Sequence, residues 1–297
     1  MNWKKKICIG TPQFGGNYGI TNNNKKKIKL EDIRNIFKLI KKNKINFLDT
    51  ALSYKIAENN IFKSNVNTLN LEIITKIPKP KNEKNYENKI IKDILKSKNR
   101  FKIKKFHTVL IHDSTNLKKK DFHKILSTFN LLKKKKLTKN IGFSIYSKKQ
   151  YDNIIKYCNP DVLQIPLNVL DRTFLKKRFL TDIKKRKVKL HVRSIFLQGL
   201  LLADMKLIKR KFKKWKYIFQ EWELFCNKNN YSKIKVATNF ILKHNSVNKI
   251  IVGFYNQNEL LEFLKIKKTR LNIPNFIKKN EKSVEKLIKP YNWSSTK

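Results

Sequence analysis

Residues 30–50 read LEDIRNIFKLIKKNKINFLDT, an amphipathic stretch that runs directly into a short apolar one. In the first part Ile33, Ile36, Phe37 and Ile40 recur at intervals of three and four, which puts them on one helix face. Glu31 and Asp32 fall in the first turn, where carboxylates complement the positive end of the helix dipole. The second part, INFLDT (45–50), is too short for another helix and has the length and composition of a strand. The same alternation continues in both directions. Runs suited to strands are KKICIG (5–10), INFLDT, EIITKI (72–77), HTVLIHD (107–113), NIGFSIY (140–146), VLQIPL (162–167), KLHVRSI (189–195) and KIIVGF (249–254). Lys-rich amphipathic stretches separate them, with apolar stripes at Ile90, Ile91, Ile94 and Leu95 and at Phe122, Ile125, Leu126 and Phe129. Eight such units predict an α/β fold, a closed (β/α)8 TIM barrel, although an open doubly wound sheet shares the local pattern. A long insertion between the seventh and eighth runs carries apparent helices near 212–228 and 232–243, suited to a lid or a cofactor flank. Residues 276–288 read as a C-terminal helix. No low-complexity linker divides the chain, so residues 1–297 are expected to form one domain.

The composition narrows the partners. The chain carries 70 Lys and Arg against 21 Asp and Glu, a formal net charge of +49. A nucleic-acid groove would gather Arg, Lys and aromatics on one face. Here the excess is almost all Lys, spread along the chain beside abundant Asn and Ile, residues whose codons are rich in A and T. That pattern fits a compositional bias filling solvent-facing positions, and no specific nucleic-acid partner is expected. Cys8, Cys158 and Cys226 are far apart and have no CxxC spacing or neighbouring His cluster, against disulfides and zinc. The basic start MNWKKKICIG is followed by Thr11, Pro12 and Gln13, which interrupt any apolar run. Neither a signal peptide nor membrane insertion is expected, and the protein reads as cytoplasmic. Gly10, Gly15, Gly16 and Gly19 do not form GxGxxG, and TNNNKKKIK (21–29) reads as loop, so a Rossmann pyrophosphate site is disfavoured.

In a barrel the C-terminal strand ends and the loops beyond them build the active site. Asp49 ends the second run, Tyr54 lies five residues on, Lys76 ends the third, and His112 with Asp113 ends the fourth. Each alone has an ordinary explanation: a helix cap, a surface tyrosine, a solvated lysine. Together they bring four titratable groups to one mouth. Hydride delivery to a carbonyl carbon leaves charge on the oxygen, which then needs a proton donor. Tyr54 could donate; a Lys76 ammonium beside it would lower its pKa from the ordinary ~10, with Asp49 orienting Lys76. His112 could polarise the substrate oxygen. No metal is required.

The segments FLDTALSY (47–54), ITKIP (74–78), VLIHD (109–113), IGFSIYS (141–147), LQIPLNVLDRTF (163–174), HVRSIFLQGLLL (191–202) and IIVGF (250–254) resemble, in the same order, those of the aldo-keto reductases. The resemblance covers nearly the whole chain. It implies an NAD(P)H-dependent oxidoreductase reducing an aldehyde, ketone or sugar-like carbonyl, with Asp49, Tyr54, Lys76 and His112 as the catalytic tetrad. It also implies a small-molecule substrate and a cofactor, NADP or NAD, lying against Gly10, Thr11, Asp49, Ser144, Gln164, Arg193, Gly253 and Asn258, without a metal. Ser144 and Gln164 would reach the nicotinamide carboxamide, and Arg193 stands where many members stack an aromatic ring on the nicotinamide. Some barrels of this family bind the cofactor yet serve as sensors or interaction subunits; the intact tetrad argues for catalysis. The chain departs from the pattern in three places. Ile145 replaces an Asn that many members carry, and Lys55, Ile56 and Ala57 replace a Gly-containing turn. Asn256, Gln257 and Asn258 stand where NADP-binding members carry Lys or Arg, leaving Lys265, Lys267 and Lys268 as nearby substitutes for holding a 2′-phosphate.

Overall fold

The apolar runs become the strands of a barrel in a computed structural model that describes residues 3–16, 18–20, 28–68, 70–81, 85–277, 283–290 and 293. The strands are β1 (Ile7–Gly10), β2 (Phe47–Asp49), β3 (Glu72–Ile77), β4 (Phe106–Ile111), β5 (Thr138–Ser144), β6 (Val162–Pro166), β7 (Lys189–Arg193) and β8 (Val247–Val252). Each pairs in parallel with the next, and β8 pairs with β1 to close the ring. Closure excludes the open doubly wound sheet and leaves no free edge.

The helices are α1 (Leu30–Lys42), α2 (Lys55–Lys63), α3 (Tyr86–Arg100), α4 (Lys119–Lys134), α5 (Lys148–Ile154), α6 (Lys177–Lys185), α7 (Met205–Lys211), α8 (Lys216–Lys228), α9 (Lys233–Leu242), α10 (Gln257–Leu264) and α11 (Val284–Ile288). On α1 the expected stripe of Ile33, Ile36, Phe37 and Ile40 is buried, and Asp32 accepts the backbone N–H of Lys29 at 3.2 Å. On α3 Ile90 and Ile94 are buried but Leu95 is exposed, because the adjacent position turns about 100° around the helix axis. Among the described residues no helix is long and apolar enough to cross a membrane.

Two elements differ from the sequence reading. The first insertion helix, expected near 212–228, is α8, and it is preceded by a further helix, α7, absent from the sequence reading: Asp204 caps α7 by accepting the Leu207 N–H at 2.7 Å, and Phe212 breaks helical geometry before α8 begins. Among the described residues the C-terminal helix spans Val284–Ile288; residues 276 and 277 are not helical, and 278–282 lie outside the described residues. Most of the TNNNKKKIK loop, residues 21–27, also lies outside them.

Inside the barrel Cys8, Phe47, Ile74, Leu110, Val162 and Ile251 pack together. Gly142 lets β5 approach β6, since a Cβ there would overlap the Val162 carbonyl oxygen. His191 is 1% exposed on β7. Burial, and then the surrounding cationic groups, lower its pKa to about 3, so it is neutral in the fold. A histidine whose folded pKa lies below its unfolded value of ~6.5 stabilises the fold fully above that value and loses the contribution as pH falls. His112, also lowered to about 3 and chiefly by burial, acts in the same sense. Glu58 and Asp171, raised by burial, work the other way, but in the carboxylate range near ~4. The melting temperature should therefore fall as pH drops from ~7 to ~5, and fall less steeply for His191→Gln. A midpoint flat or rising over that window would contradict the buried neutral imidazole.

Candidate active site

One cavity of about 330 Å³ opens at the C-terminal ends of the strands. Nine of the residues singled out in the sequence line it: Gly10, Asp49, Tyr54, Lys76, His112, Ser144, Gln164, Arg193 and Gly253. The strand geometry explains the convergence, since Asp49 and Ser144 end their strands and His112 continues from β4 by donating its N–H to the Ile77 carbonyl at 2.8 Å. Tyr54 stands at the N-terminus of α2. That helix is anchored to α3 through buried Glu58, which accepts from Ser97 Oγ at 2.9 Å and from Arg100 Nη1 at 2.6 Å.

At the floor, Lys76 and Asp49 form an ion pair, each residue only 3% exposed. Lys76 Nζ also donates to the Thr50 carbonyl at 2.8 Å, and Gln164 Nε2 donates to the second Asp49 oxygen at 2.7 Å. Both carboxylate oxygens are thus committed. Above them Tyr54 Oη lies 3.4 Å from His112 Nε2, and His112 Nδ1 lies 3.3 Å from the hydroxyl of exposed Ser53. With its pKa near 3, His112 is neutral, so one ring nitrogen donates and the other accepts.

The electrostatics correct one expectation. Lys76 Nζ is 5.6 Å from the Tyr54 ring centroid, yet the phenol lies well above the ordinary tyrosine range. Burial is the main cause and the Asp49 carboxylate the next; the cation that opposes them is Arg193. The carboxylate that pairs with Lys76 is itself close enough to the phenol to act against its ionisation.

Other residues fall elsewhere. Thr11 is fully buried outside the cavity lining and its backbone N–H holds the Asp49 carbonyl at 3.0 Å, so it supports the strand end from behind. Asn258 is exposed on the first turn of α10, away from the cavity lining. Asp113 points into the β4 loop, paired with Lys79 at 2.8 Å. Lys265, Lys267 and Lys268 do not line the cavity. They follow the C-terminus of α10, which runs back down the barrel, and Lys268 acts with burial to lower the pKa of Lys6, just before β1. They stand at the opposite end of the molecule from the mouth.

The sequence reading passed over Gln13, Tyr18, Tyr146, Gln198 and Tyr255, all of which line the cavity. Strand alternation could have found Tyr146: Ser144 faces the mouth, Ile145 is fully buried in the core, and Tyr146 faces the mouth again. Tyr18 depends on tertiary ties that no local pattern announces. Its N–H donates to Tyr255 Oη at 3.0 Å, and the next loop residues are fixed by Ile20 N–H donating to the Gln198 carbonyl at 3.0 Å. Gln198 has a positive φ of 53°, in a bend that turns the segment after β7 across the mouth.

A model of the aldo/keto reductase family matches residues 6–282. The chain belongs to that family. Aldo/keto reductases are oxidoreductases that use a nicotinamide cofactor on small carbonyl substrates. Two solved structures show how far the fold is shared. A glycerol dehydrogenase from Gluconobacter oxydans superposes with a TM-score of 0.67 at 18% identity, over 98% of this chain and 92% of its own. An aldo-keto reductase from Bacillus halodurans, in its holo form, gives 0.67 at 15% identity, over 89% and 87%. At such identities the likeness speaks for the barrel alone. No curated protein matches the sequence. Among the described residues of this aldo/keto reductase no group of three or more His, Cys, Asp or Glu could hold a metal ion.

Proposed function

We propose that this aldo/keto reductase reduces an aldehyde, ketone or sugar-like carbonyl, with Tyr54 as the proton donor. The reading is carried by the hydrogen-bond line from Tyr54 Oη through His112 to exposed Ser53, above the buried Lys76–Asp49 pair. Its raised pKa keeps the phenol protonated at neutral pH, the state an acid must hold before the reaction. As charge develops on the substrate oxygen, Tyr54 gives up its proton. The cations Arg193 and Lys76 stabilise the phenolate that results, in a site where water screens them little. Neutral His112 orients the carbonyl and passes a replacement proton from the Ser53 side.

The lining suits a nicotinamide cofactor. Gln13 Oε1 is buried without a hydrogen-bond partner, an acceptor that a bound amide or hydroxyl would satisfy. Gly10 and Gly253 present bare backbone, and the Gln13 side chain occupies the space that a Cβ on Gly253 would need. We assign Gly10, Ser144, Gln164, Arg193 and Gly253, with Gln13, to the cofactor's surroundings. When bound, the cofactor supplies the hydride.

For the choice between NADPH and NADH, the loop after β8 offers no cation. Asn256 caps α10 by accepting the Glu259 N–H at 3.0 Å, and Glu259 lines the cavity while accepting the Tyr255 N–H at 2.8 Å. A carboxylate there disfavours a 2′-phosphate, while the diffuse lysine field favours it only weakly in salt. Dissociation constants for the two cofactors at ~0.15 M salt should differ by less than about tenfold, or ~1.4 kcal/mol. A hundredfold preference for NADPH would contradict this. The function itself is tested by turnover of a carbonyl panel with each cofactor: reduction of at least one class is expected, and tight cofactor binding without turnover of any would favour a sensor subunit.

A further inference from the structure

A second cavity, of about 710 Å³, lies where the chain enters β2 and β3, at the end of the barrel opposite the mouth. Its walls are the C-terminal half of α1, the residues that lead from it into β2, and the segment between α2 and β3. It is larger than the catalytic cavity and shares no lining residue with it. The sequence of α1 gives it two unlike faces. Phe37 and Ile40 belong to the stripe that the barrel buries, and with Ile45, Val66 and Leu71 they make an apolar floor. Arg34, Lys38 and Lys41 each follow a member of that stripe by one residue, so they form a cationic edge along the same groove, which Lys44 continues. No Asp or Glu stands among the described lining residues.

Lysines along a helix edge are what this composition gives everywhere. Arg34 is different, because it is tied in place. Its Nε donates to the carbonyl of Ser64, which is buried and whose own hydroxyl donates to the Ile61 carbonyl at 2.7 Å. The Nε bond, 3.2 Å long, fixes the guanidinium at the groove, and its terminal N–H groups have no hydrogen-bond partner among the described residues. Among those residues no carboxylate pairs with it. Of the neighbouring acids, Asp32 accepts the Lys29 N–H at 3.2 Å, and Glu72 acts on Lys249. A guanidinium held beside apolar surface matches a carboxylate joined to an apolar body. The floor is aliphatic apart from Phe37, so it suits a flexible chain better than a nucleobase, which needs a stacking face.

We propose that this groove binds a medium-chain carboxylate, with its chain on the apolar floor and its head on Arg34, flanked by Lys38 and Lys41. The site is independent of the carbonyl-reductase reading, being at the other end of the barrel. Calorimetric titrations with octanoate, butyrate, octanol and AMP test it, on wild type, Arg34→Gln, Val66→Trp and the double variant Lys38→Gln/Lys41→Gln, each checked for folding by circular dichroism. Octanoate should bind with a Kd of about 1 mM or tighter. Butyrate should bind at least about tenfold more weakly, for want of methylenes to bury. Octanol should also be at least about tenfold weaker, the size of one charge-assisted contact. Arg34→Gln, and Val66→Trp by filling the groove, should each raise the octanoate Kd at least about tenfold. The double variant changes two exposed residues and keeps the fold, and it should raise that Kd at least about threefold. Octanoate affinity unchanged in the variants that fold overturns the inference, wherever else the carboxylate then sits. So does octanol binding as tightly as octanoate, AMP binding more tightly than octanoate, or no octanoate binding at ~10 mM.

Discussion

Tyr54→Phe should lower kcat by at least ~100-fold while changing the cofactor Kd less than about threefold, because positioned acids contribute ~10²–10⁴-fold to such steps. The substitution removes one oxygen and leaves the ring, which packs edge-on against His112 at 5.5 Å between centroids. The Lys76–Asp49 pair below is untouched by it, so the cavity keeps its shape. The loss should fall on kcat and kcat/KM alike, the signature of an interaction made in the transition state. Stopped-flow turnover alongside a fluorescence titration of the cofactor separates the two effects. Retention of more than about a tenth of wild-type turnover would remove Tyr54 from the role of proton donor.

Lys76→Met should be the most destabilising single change in the site. It leaves the Asp49 carboxylate buried, with the Gln164 amide still donating to it but no counter-ion. Breaking one side of a buried pair costs ~3–5 kcal/mol, whereas replacing both partners by apolar groups is often close to neutral. The melting temperature of Lys76→Met should therefore drop by several degrees, and the double variant Asp49→Leu/Lys76→Met should recover much of the loss. Activity should be lost in both, since the phenolate formed at Tyr54 no longer has the ammonium 5.6 Å from its ring. A single variant melting within a degree of wild type would mean that Asp49 is protonated or hydrated without its lysine.

Much of this was legible in the order of residues along the chain. The β2 run INFLDT and the stripe on α1 follow from periodicity alone, because burying an apolar face needs no knowledge of what lies opposite. The convergence of Asp49, Tyr54, Lys76 and His112 follows from the rule that parallel barrels gather their strand ends at one mouth. What sequence could not carry was net charge at a point. Lys76 is expected to lower the Tyr54 pKa, but burial and the Asp49 carboxylate raise it, and only the three-dimensional surroundings reveal that. Lys265 to Lys268 are close to Asn258 along the chain, yet one short helix carries them to the far end of the barrel. Tyr18 enters the cavity through its ties to Tyr255, 237 residues away.

The most direct test of the account is the fate of a label. Wild-type protein, a carbonyl it turns over, and a reduced nicotinamide cofactor deuterated at C4 on the transferred position are combined in ordinary water, and the product is analysed by mass spectrometry and proton NMR. The account predicts an alcohol with one deuterium on the carbinol carbon and a proton from the protein and solvent on its oxygen, with no such product from Tyr54→Phe on the same timescale. An alcohol without deuterium on that carbon, or equal product from Tyr54→Phe, would contradict it.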